Sequence, residues 1–112
     1  MIFGLPGETE VDMLQTVKDV VRAKSDGIKI TSLYILKDTD LATDYFNNKF
    51  EPIKMDEYFN LIEKALQIIP KNMVIHRLTG DPPKSLLIEP TWTTDKKRTL
   101  NIVNNILSKI GL

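Results

Sequence analysis

The clearest candidate for a ligand-binding turn lies near the beginning of the chain, in the segment Gly4-Leu5-Pro6-Gly7-Glu8-Thr9. Glycine tolerates positive φ angles and proline ends a strand, so this segment predicts a sharp turn between a strand and a helix. In α/β proteins, ligands bind at the carboxyl ends of strands and at helix amino termini, where backbone N–H groups are free. The turn therefore predicts a site for an anionic or polar ligand. The alternative is a plain strand-to-helix turn capped by Thr9, and the absence of a following Gly-Lys-Ser/Thr argues against a Walker loop.

A second group of polar residues forms the sequence His76-Arg77-Leu78-Thr79-Gly80-Asp81. The three ionisable residues of this group could bind a substrate phosphate or carboxylate, because arginine forms two parallel hydrogen bonds with such groups. Acid-base catalysis by His76, with Arg77 and Asp81 beside it, is a further hypothesis. The alternative is an ion pair between Arg77 and Asp81 that shapes a proline-bounded loop, with His76 in a half-buried position.

Composition excludes several other kinds of site. The chain has no cysteine, which excludes disulfides, thiolate nucleophiles and iron-sulfur clusters held by cysteines of this chain. Its single histidine excludes metal sites built on histidine pairs and leaves open a site built only of carboxylates. No Gly-x-Ser-x-Gly sequence is present, which argues against a serine hydrolase of that type. Fifteen basic residues balance fifteen acidic ones, so the chain has no overall charge that would attract nucleic acid or an anionic membrane.

Alternating strands and helices must position these residues. Apolar periodicity predicts helices over about 10–24, 55–69 and 95–110, and segments rich in β-branched and aromatic residues predict strands over about 1–3, 28–36 and 73–78. Thr9 should cap the first helix, with Asp12 as its partner in a capping box, and Thr94 should cap the last. We expect one or two helical turns between Leu41 and Phe50, and a loop from Thr79 through Pro90.

Trp92 precedes the last predicted helix and follows a proline. An indole ring on a loop could stack on a base or on another flat ring. The alternative, which we favour, is packing against the core beneath the loop.

The order of elements predicts an α/β fold with parallel strands and right-handed crossovers. A chain of 112 residues forms one domain that could bury about two-thirds of its extended surface. Three parallel strands would leave long edges exposed, and the chain begins within a strand at Met1, so we expect an incomplete fold. We find no apolar run of membrane-spanning length and no signal peptide, and therefore expect no membrane partner and a cytoplasmic location.

Three segments resemble radical S-adenosylmethionine proteins of the YtqA/YhcC type: MIFGLPGETEVDMLQTV, DGIKITSLYILKDTDLATDY and VIHRLTGDPP. Together with the tryptophan and the last helix that follow, the resemblance covers nearly the whole chain. The first turn and the second strand are more distantly similar to oxygen-independent coproporphyrinogen oxidase and the catalytic subunit of Elongator, which usually have glycine where Asp38 stands. GLPGET alone occurs in many radical enzymes, and its combination with HRLTGD is considerably more specific.

The resemblance implies that the chain is the carboxyl-terminal part of a partial (β/α)6 barrel in an iron-sulfur oxidoreductase. Such a parent protein would cleave S-adenosylmethionine reductively to a 5'-deoxyadenosyl radical and abstract hydrogen from a substrate, for which the relatives suggest a tRNA wobble uridine. His76, Arg77 and Asp81 would face the substrate. The residues implied beside the adenosyl group are Gly4, Leu5, Pro6, Gly7, Glu8, Tyr34, Ile35 and Leu36.

The chain also departs from the family, because it lacks both the CxxxCxxC-type motif that holds a 4Fe-4S cluster and the Gly-Gly-Glu-type strand. We therefore expect no metal site in this chain, no catalysis by the isolated chain, and a missing amino-terminal half of the same protein as its partner. The surfaces that this half would cover should make the isolated chain self-associate. The alternative is a stand-alone small α/β binding module that completes its sheet by dimerising along an edge strand.

Overall fold

Alternating strands and helices build most of the chain, of which a computed structural model describes residues 1–111. The strands within this range are β1 (Ile2–Phe3), β2 (Gly27–Lys29), β3 (Thr31–Ser32), β4 (Ile35–Leu36), β5 (Val74–Arg77) and β6 (Leu87–Glu89). The helices are α1 (Glu10–Arg22), α2 (Asp40–Phe46), α3 (Met55–Ile68) and α4 (Lys96–Lys109), and a 3₁₀ helix (Thr91–Thr94) precedes α4.

Residues 27–32 run as a central strand between two parallel neighbours. β2 pairs with β5 and β3 pairs with β1, and both pairs are parallel, as the sequence predicted. Ile30 connects the two halves, because its N–H donates to Arg77 O (2.8 Å) while the N–H of Thr31 donates to Met1 O (3.1 Å). The chain thus forms a mixed α/β domain in which three parallel segments end at the same edge.

Two predictions about the strands are wrong. The segment 28–36 does not form one continuous strand, and the strands are not all parallel. The strand is interrupted at residues 33–34, and β4 pairs with β6 in an antiparallel manner. β6 itself lies in the segment expected to be a loop. Its three residues stand between prolines, so they are too few to show the alternation by which a strand is predicted.

The helices agree with the predictions more closely, with small differences at their ends. The capping box is present, because the Thr9 hydroxyl accepts from the N–H of Asp12 and the Asp12 carboxylate accepts from the N–H of Thr9. The seven residues of α2 are the expected helical turns before Phe50, and the Thr39 hydroxyl caps them. Asp95, and not Thr94, caps α4 by accepting from the N–H of Arg98.

The core lies between the helices and one face of the parallel strands. Phe3, Ile28 and Ile30 point into it and belong to one cluster with the buried residues of α1, α3 and α4. Ile2 and Val74, on the same strands, are exposed. Successive side chains of a strand point to opposite faces, so the helices cover only one face of this sheet.

Tyr58 of α3 joins the middle of the central strand to the residue that follows β5, from within the core. It is 1% exposed, and its hydroxyl donates to Leu78 O at 2.8 Å and lies 3.3 Å from Ile30 O. Burial raises the pKa of Tyr58 well above its usual value, so the hydroxyl stays protonated and available as a donor.

None of the helices within residues 1–111 combines the length and the apolar character that a membrane span requires.

Candidate functional site

The carboxyl ends of the parallel strands bring three polar segments to one edge of the sheet. The turn at 4–8 follows β1, residues 33–34 follow β3, and the segment 78–81 follows β5. In α/β proteins this edge is where ligands bind. The fold therefore places both of the polar groups found in the sequence at the edge where a site is expected.

The first turn lines an open cleft of about 220 Å³. All five predicted residues of the turn contribute to it. The opposite wall is the segment that connects α2 with α3, together with the first turn of α3. The residues around the cleft are Gly4, Leu5, Pro6, Gly7, Glu8 and Met13 on one side, and Phe50, Glu51, Pro52, Ile53, Lys54 and Glu57 on the other.

Two of the four backbone N–H groups of the turn 4–8 already have acceptors. Gly4 N–H donates to Met13 Sδ (3.3 Å), and Glu8 N–H donates to Leu5 O (3.1 Å). Within residues 1–111, the N–H groups of Leu5 and Gly7 have no protein acceptor. Leu5 and Gly7 are both exposed, so their N–H groups are open to solvent and are available to a ligand.

The charges around the cleft narrow the class of ligand. Glu8, Glu51 and Glu57 contribute three carboxylates, whereas Lys54 contributes one ammonium group. An excess of negative charge opposes a phosphate and favours a neutral or cationic ligand. Of the anionic or polar ligands that the turn predicted, the structure therefore favours polar ligands without negative charge.

Tyr34, Ile35 and Leu36 lie at the same edge of the sheet but do not line this cleft. Ile35 is 1% exposed and pairs with β6, so its side chain belongs to the packed interior. The Tyr34 hydroxyl is enclosed and has no hydrogen-bond partner in the part of the chain that the structure describes. Burial raises the pKa of Tyr34. The two groups of residues implied beside the adenosyl group thus do not line one common cleft in the structure.

The Tyr34 hydroxyl occupies the space that a β-carbon at Gly80 would need. Gly80→Ala must therefore displace the Tyr34 ring, and we expect a loss of about 1–3 kcal/mol in the free energy of unfolding, measured by urea denaturation. Adding Tyr34→Leu to the Gly80→Ala variant should recover part of this loss, because the clash is removed. Strict additivity of the two substitutions would contradict the proposed contact.

The fold brings only two of the three ionisable residues at 76–81 to one pocket. The His76 imidazole lies over Gly27 on the exposed face of the sheet, so the half-buried position considered for it is wrong. Arg77 and Asp81 line a neighbouring pocket of about 180 Å³ with Lys96 of α4. The carboxylate of Asp81 lies 2.9 Å from Lys96 Nζ. The ion pair of Asp81 is therefore formed with Lys96, and not with Arg77 as the alternative interpretation supposed.

This ion pair predicts a dependence of stability on pH. The hydrogen bond with Lys96, and then the charge of Lys96, lower the pKa of Asp81 below its usual value. A carboxyl whose pKa is lower in the folded chain stabilises it above the unfolded pKa, and this contribution is lost as pH falls through the folded pKa. Urea denaturation at about pH 6 and about pH 2 should show a smaller pH-dependent loss in Lys96→Met than in the unchanged chain. The neighbouring Lys97→Met is the control, and equal losses in both variants would contradict the assignment.

A metal centre does not fit these residues. Residues 1–111 contain no group of three or more histidine, cysteine, aspartate or glutamate side chains that could hold an ion. The chain has no cysteine with which to bind an iron-sulfur cluster.

Comparison with known proteins identifies the family. A family model described as the Radical_SAM C-terminal domain matches residues 25–109. The chain belongs to this family. The match confirms the resemblance to radical S-adenosylmethionine proteins, and it includes both the central strand and the group at 76–81.

Relatives of this radical SAM C-terminal domain include the proteins named in the resemblance. The chain is 39% identical over 111 residues to the uncharacterized protein YtqA of Bacillus subtilis, and the match covers 99% of this chain and 34% of YtqA. It is 30% identical to the uncharacterized protein MJ0486 of Methanocaldococcus jannaschii, with 99% of this chain and 35% of that protein covered. YhcC of Escherichia coli K12 is 26% identical, with 100% and 36% covered. The chain thus spans about a third of the length of these relatives.

Sequence reasoning missed the second wall of the cleft. The segment 50–54 has no periodicity and lies more than forty residues from the first turn along the chain. The sequence singled out Trp92 only for its flat ring. In the structure, its indole N–H donates to Ile53 O at 3.1 Å. Its ring packs against the core, which confirms the favoured prediction for this residue.

Proposed function

We propose that this chain supplies one wall of the S-adenosylmethionine site in a radical iron-sulfur oxidoreductase. The observation that carries the proposal is the cleft formed by the turn 4–8 at the carboxyl edge of the parallel strands, in a chain of the radical SAM C-terminal domain family. The proposal assigns the adenosyl group to this cleft.

The residues of the cleft fit such a ligand chemically. Met13 and Ile53 offer an apolar surface for a purine ring, and the N–H groups of Leu5 and Gly7 are free to donate to its polar atoms. The excess of carboxylates suits a sulfonium cation. Sites that enclose a nucleoside-sized ligand measure about 300–1,000 Å³, so a cleft of about 220 Å³ corresponds to part of such a site.

The 4Fe-4S cluster belongs elsewhere in the complete protein, since this chain offers no cysteine. When both groups are bound, they would supply a 5'-deoxyadenosyl radical that abstracts hydrogen from a substrate. The part played by this chain is to hold and orient the adenosyl group and to exclude water from it. We accordingly propose that the isolated chain is inactive and that its strands complete a partial (β/α)6 barrel with an amino-terminal part.

The face of the sheet that no helix covers supports the proposed contact with an amino-terminal part. Ile2 is 44% exposed and Val74 is 54% exposed, and both lie on the face without helices. Apolar side chains exposed beside free strand edges favour contact with further polypeptide. In the complete protein that contact would be the amino-terminal part, and in the isolated chain it would be a second copy.

The proposed substrate site is the pocket of about 180 Å³ beside α4. Lys96 pairs with the Asp81 carboxylate, and the charges of Arg77 and Lys84 also lower the pKa of Asp81, so positive charge exceeds negative charge there. An excess of positive charge supports an anionic macromolecular substrate, and we propose a tRNA in which the wobble uridine is modified. Nucleoside analysis of tRNA from cells that lack the gene tests this proposal: an unmodified wobble uridine supports it, and an unchanged set of nucleosides contradicts it.

The proposed assignment of the cluster has a direct test in the gene. Reading the DNA in frame upstream of the codon for Met1, over roughly another domain's length, should reveal a CxxxCxxC-type cysteine triad. A stop codon directly upstream of a start at Met1 would contradict the assignment and favour a stand-alone binding module.

A further inference from the structure

Trp92, in the 3₁₀ helix before α4, forms a hydrogen bond with the second wall of the cleft. Its indole N–H donates to the carbonyl oxygen of Ile53, 39 residues earlier in the chain, at 3.1 Å. In the segment 50–54, this carbonyl belongs to a stretch without regular secondary structure. A segment of that kind has no hydrogen-bond ladder to define its position, so a bond from a packed side chain has a large influence on it.

The position of Ile53 matters because this residue faces the first turn directly. Its side chain is 8% exposed, and Ile53 Cγ2 would lie only 3.1 Å from a β-carbon added to Gly4. The two walls of the cleft therefore meet at the contact between Gly4 and Ile53. A shift of Ile53 changes both the width of the cleft and the conformation of the turn.

The indole ring is itself held firmly. Its centre lies 5.2 Å from the ring of Tyr58 and 5.7 Å from that of Phe59, both on α3. The 3₁₀ helix that carries it is closed by the hydroxyl of Thr93, which donates to Pro90 O at 2.6 Å. The donor of the bond to Ile53 O is thus fixed by the core, and the acceptor belongs to the segment that needs support.

We propose that the segment 50–54 is the second wall of the cofactor cleft and that Trp92 is the residue that positions it. The identity of the ligand rests on the function proposed above, whereas the positioning does not. The wall contributes Phe50 as an apolar surface and Glu51 as a carboxylate, and Glu57 follows at the start of α3. This combination suits a nucleoside that carries a positive charge and not a nucleotide phosphate.

The first test needs no ligand. Trp92→Phe keeps an aromatic ring in the core and removes the N–H donor. We expect amide hydrogen exchange in the 112-residue chain to become faster in the segment 50–54 and in the turn 4–8, with exchange in α1 unchanged. Ile106→Val, a conservative change on the buried face of α4, is the control for a general loss of stability. Equal exchange profiles for the two variants would overturn the positioning role.

The second test measures ligand affinity in a larger protein. In a chimaera, this chain replaces the matched third of YtqA, and the dissociation constant for S-adenosylmethionine is measured anaerobically by calorimetry. Trp92→Phe should raise this constant about fivefold to tenfold, because ligand binding must then order the segment 50–54 without the bond from Trp92. Ile106→Val should leave it unchanged.

The outcomes of the two tests separate the two proposals. Faster exchange together with an unchanged dissociation constant would overturn the role of the segment as a ligand wall. A parent chimaera that binds no S-adenosylmethionine would contradict the proposed function, and in that case the exchange profiles still decide whether Trp92 positions the segment.

Discussion

Replacing Tyr58 by alanine is expected to lower the free energy of unfolding by about 3–5 kcal/mol, because the ring is buried at the centre of an aromatic cluster. The neighbouring rings are those of Phe3 (6.1 Å), Phe59 (5.3 Å) and Trp92 (5.2 Å). The truncation leaves a cavity beneath β1 and also removes a support of Trp92. Urea denaturation of the purified chain measures the loss.

Tyr58→Phe separates the hydroxyl from the ring. It should cost about 1–3 kcal/mol, because Leu78 O loses its donor in a buried position. Phe46→Leu on the surface of α2 is a control for an aromatic residue whose side chain is largely exposed, and it should cost much less. If Tyr58→Phe were neutral, the connection that this hydroxyl makes between the central strand and the end of β5 would not contribute to stability.

Replacing Gly4 by alanine is expected to lower the free energy of unfolding by about 2–4 kcal/mol and to weaken ligand binding in the chimaera at least about tenfold. Two causes contribute to the result. Gly4 has a φ of 98°, which L residues rarely adopt, and its β-carbon would lie 3.1 Å from Ile53 Cγ2. The added methyl group therefore strains the turn and pushes the second wall of the cleft outward.

Gly7→Ala is the matched control for this substitution. Gly7 has a similar φ of 82°, and a β-carbon there would meet no atom within 4 Å. It should cost only the conformational strain, about 1–2 kcal/mol. Equal losses of stability and affinity in the two variants would show that the contact between Gly4 and Ile53 has no separate effect.

Strong local patterns in the sequence predicted most of the regular structure. The helices α1, α3 and α4 have apolar stripes that continue over three or four turns, and their predicted ends differ from the observed ones by one or two residues. The parallel pairing of β1, the central strand and β5 followed from the alternation of strands and helices. The first turn was recognised because glycine and proline restrict the backbone in ways that the sequence shows directly.

The features that the sequence did not reveal depend on contacts between distant residues. The chain leaves the central strand at residues 33–34 because β4 pairs with β6, which lies more than fifty residues later. Asp81 pairs with Lys96 although Arg77 is nearer in sequence, since the fold brings the amino end of α4 beside the loop. The second wall of the cleft likewise depends on the bond between Trp92 and Ile53.

We have proposed that this chain forms part of a working S-adenosylmethionine site. The most direct measurement is the formation of 5'-deoxyadenosine by the chimaera with YtqA, after anaerobic incubation with iron and sulfide and with dithionite as the electron donor. We expect the chimaera to form 5'-deoxyadenosine and methionine from S-adenosylmethionine, with Gly4→Ala slower than Gly7→Ala. Formation of 5'-deoxyadenosine by YtqA itself, with none formed by a chimaera that binds as much iron and sulfide as YtqA does, would contradict this proposal.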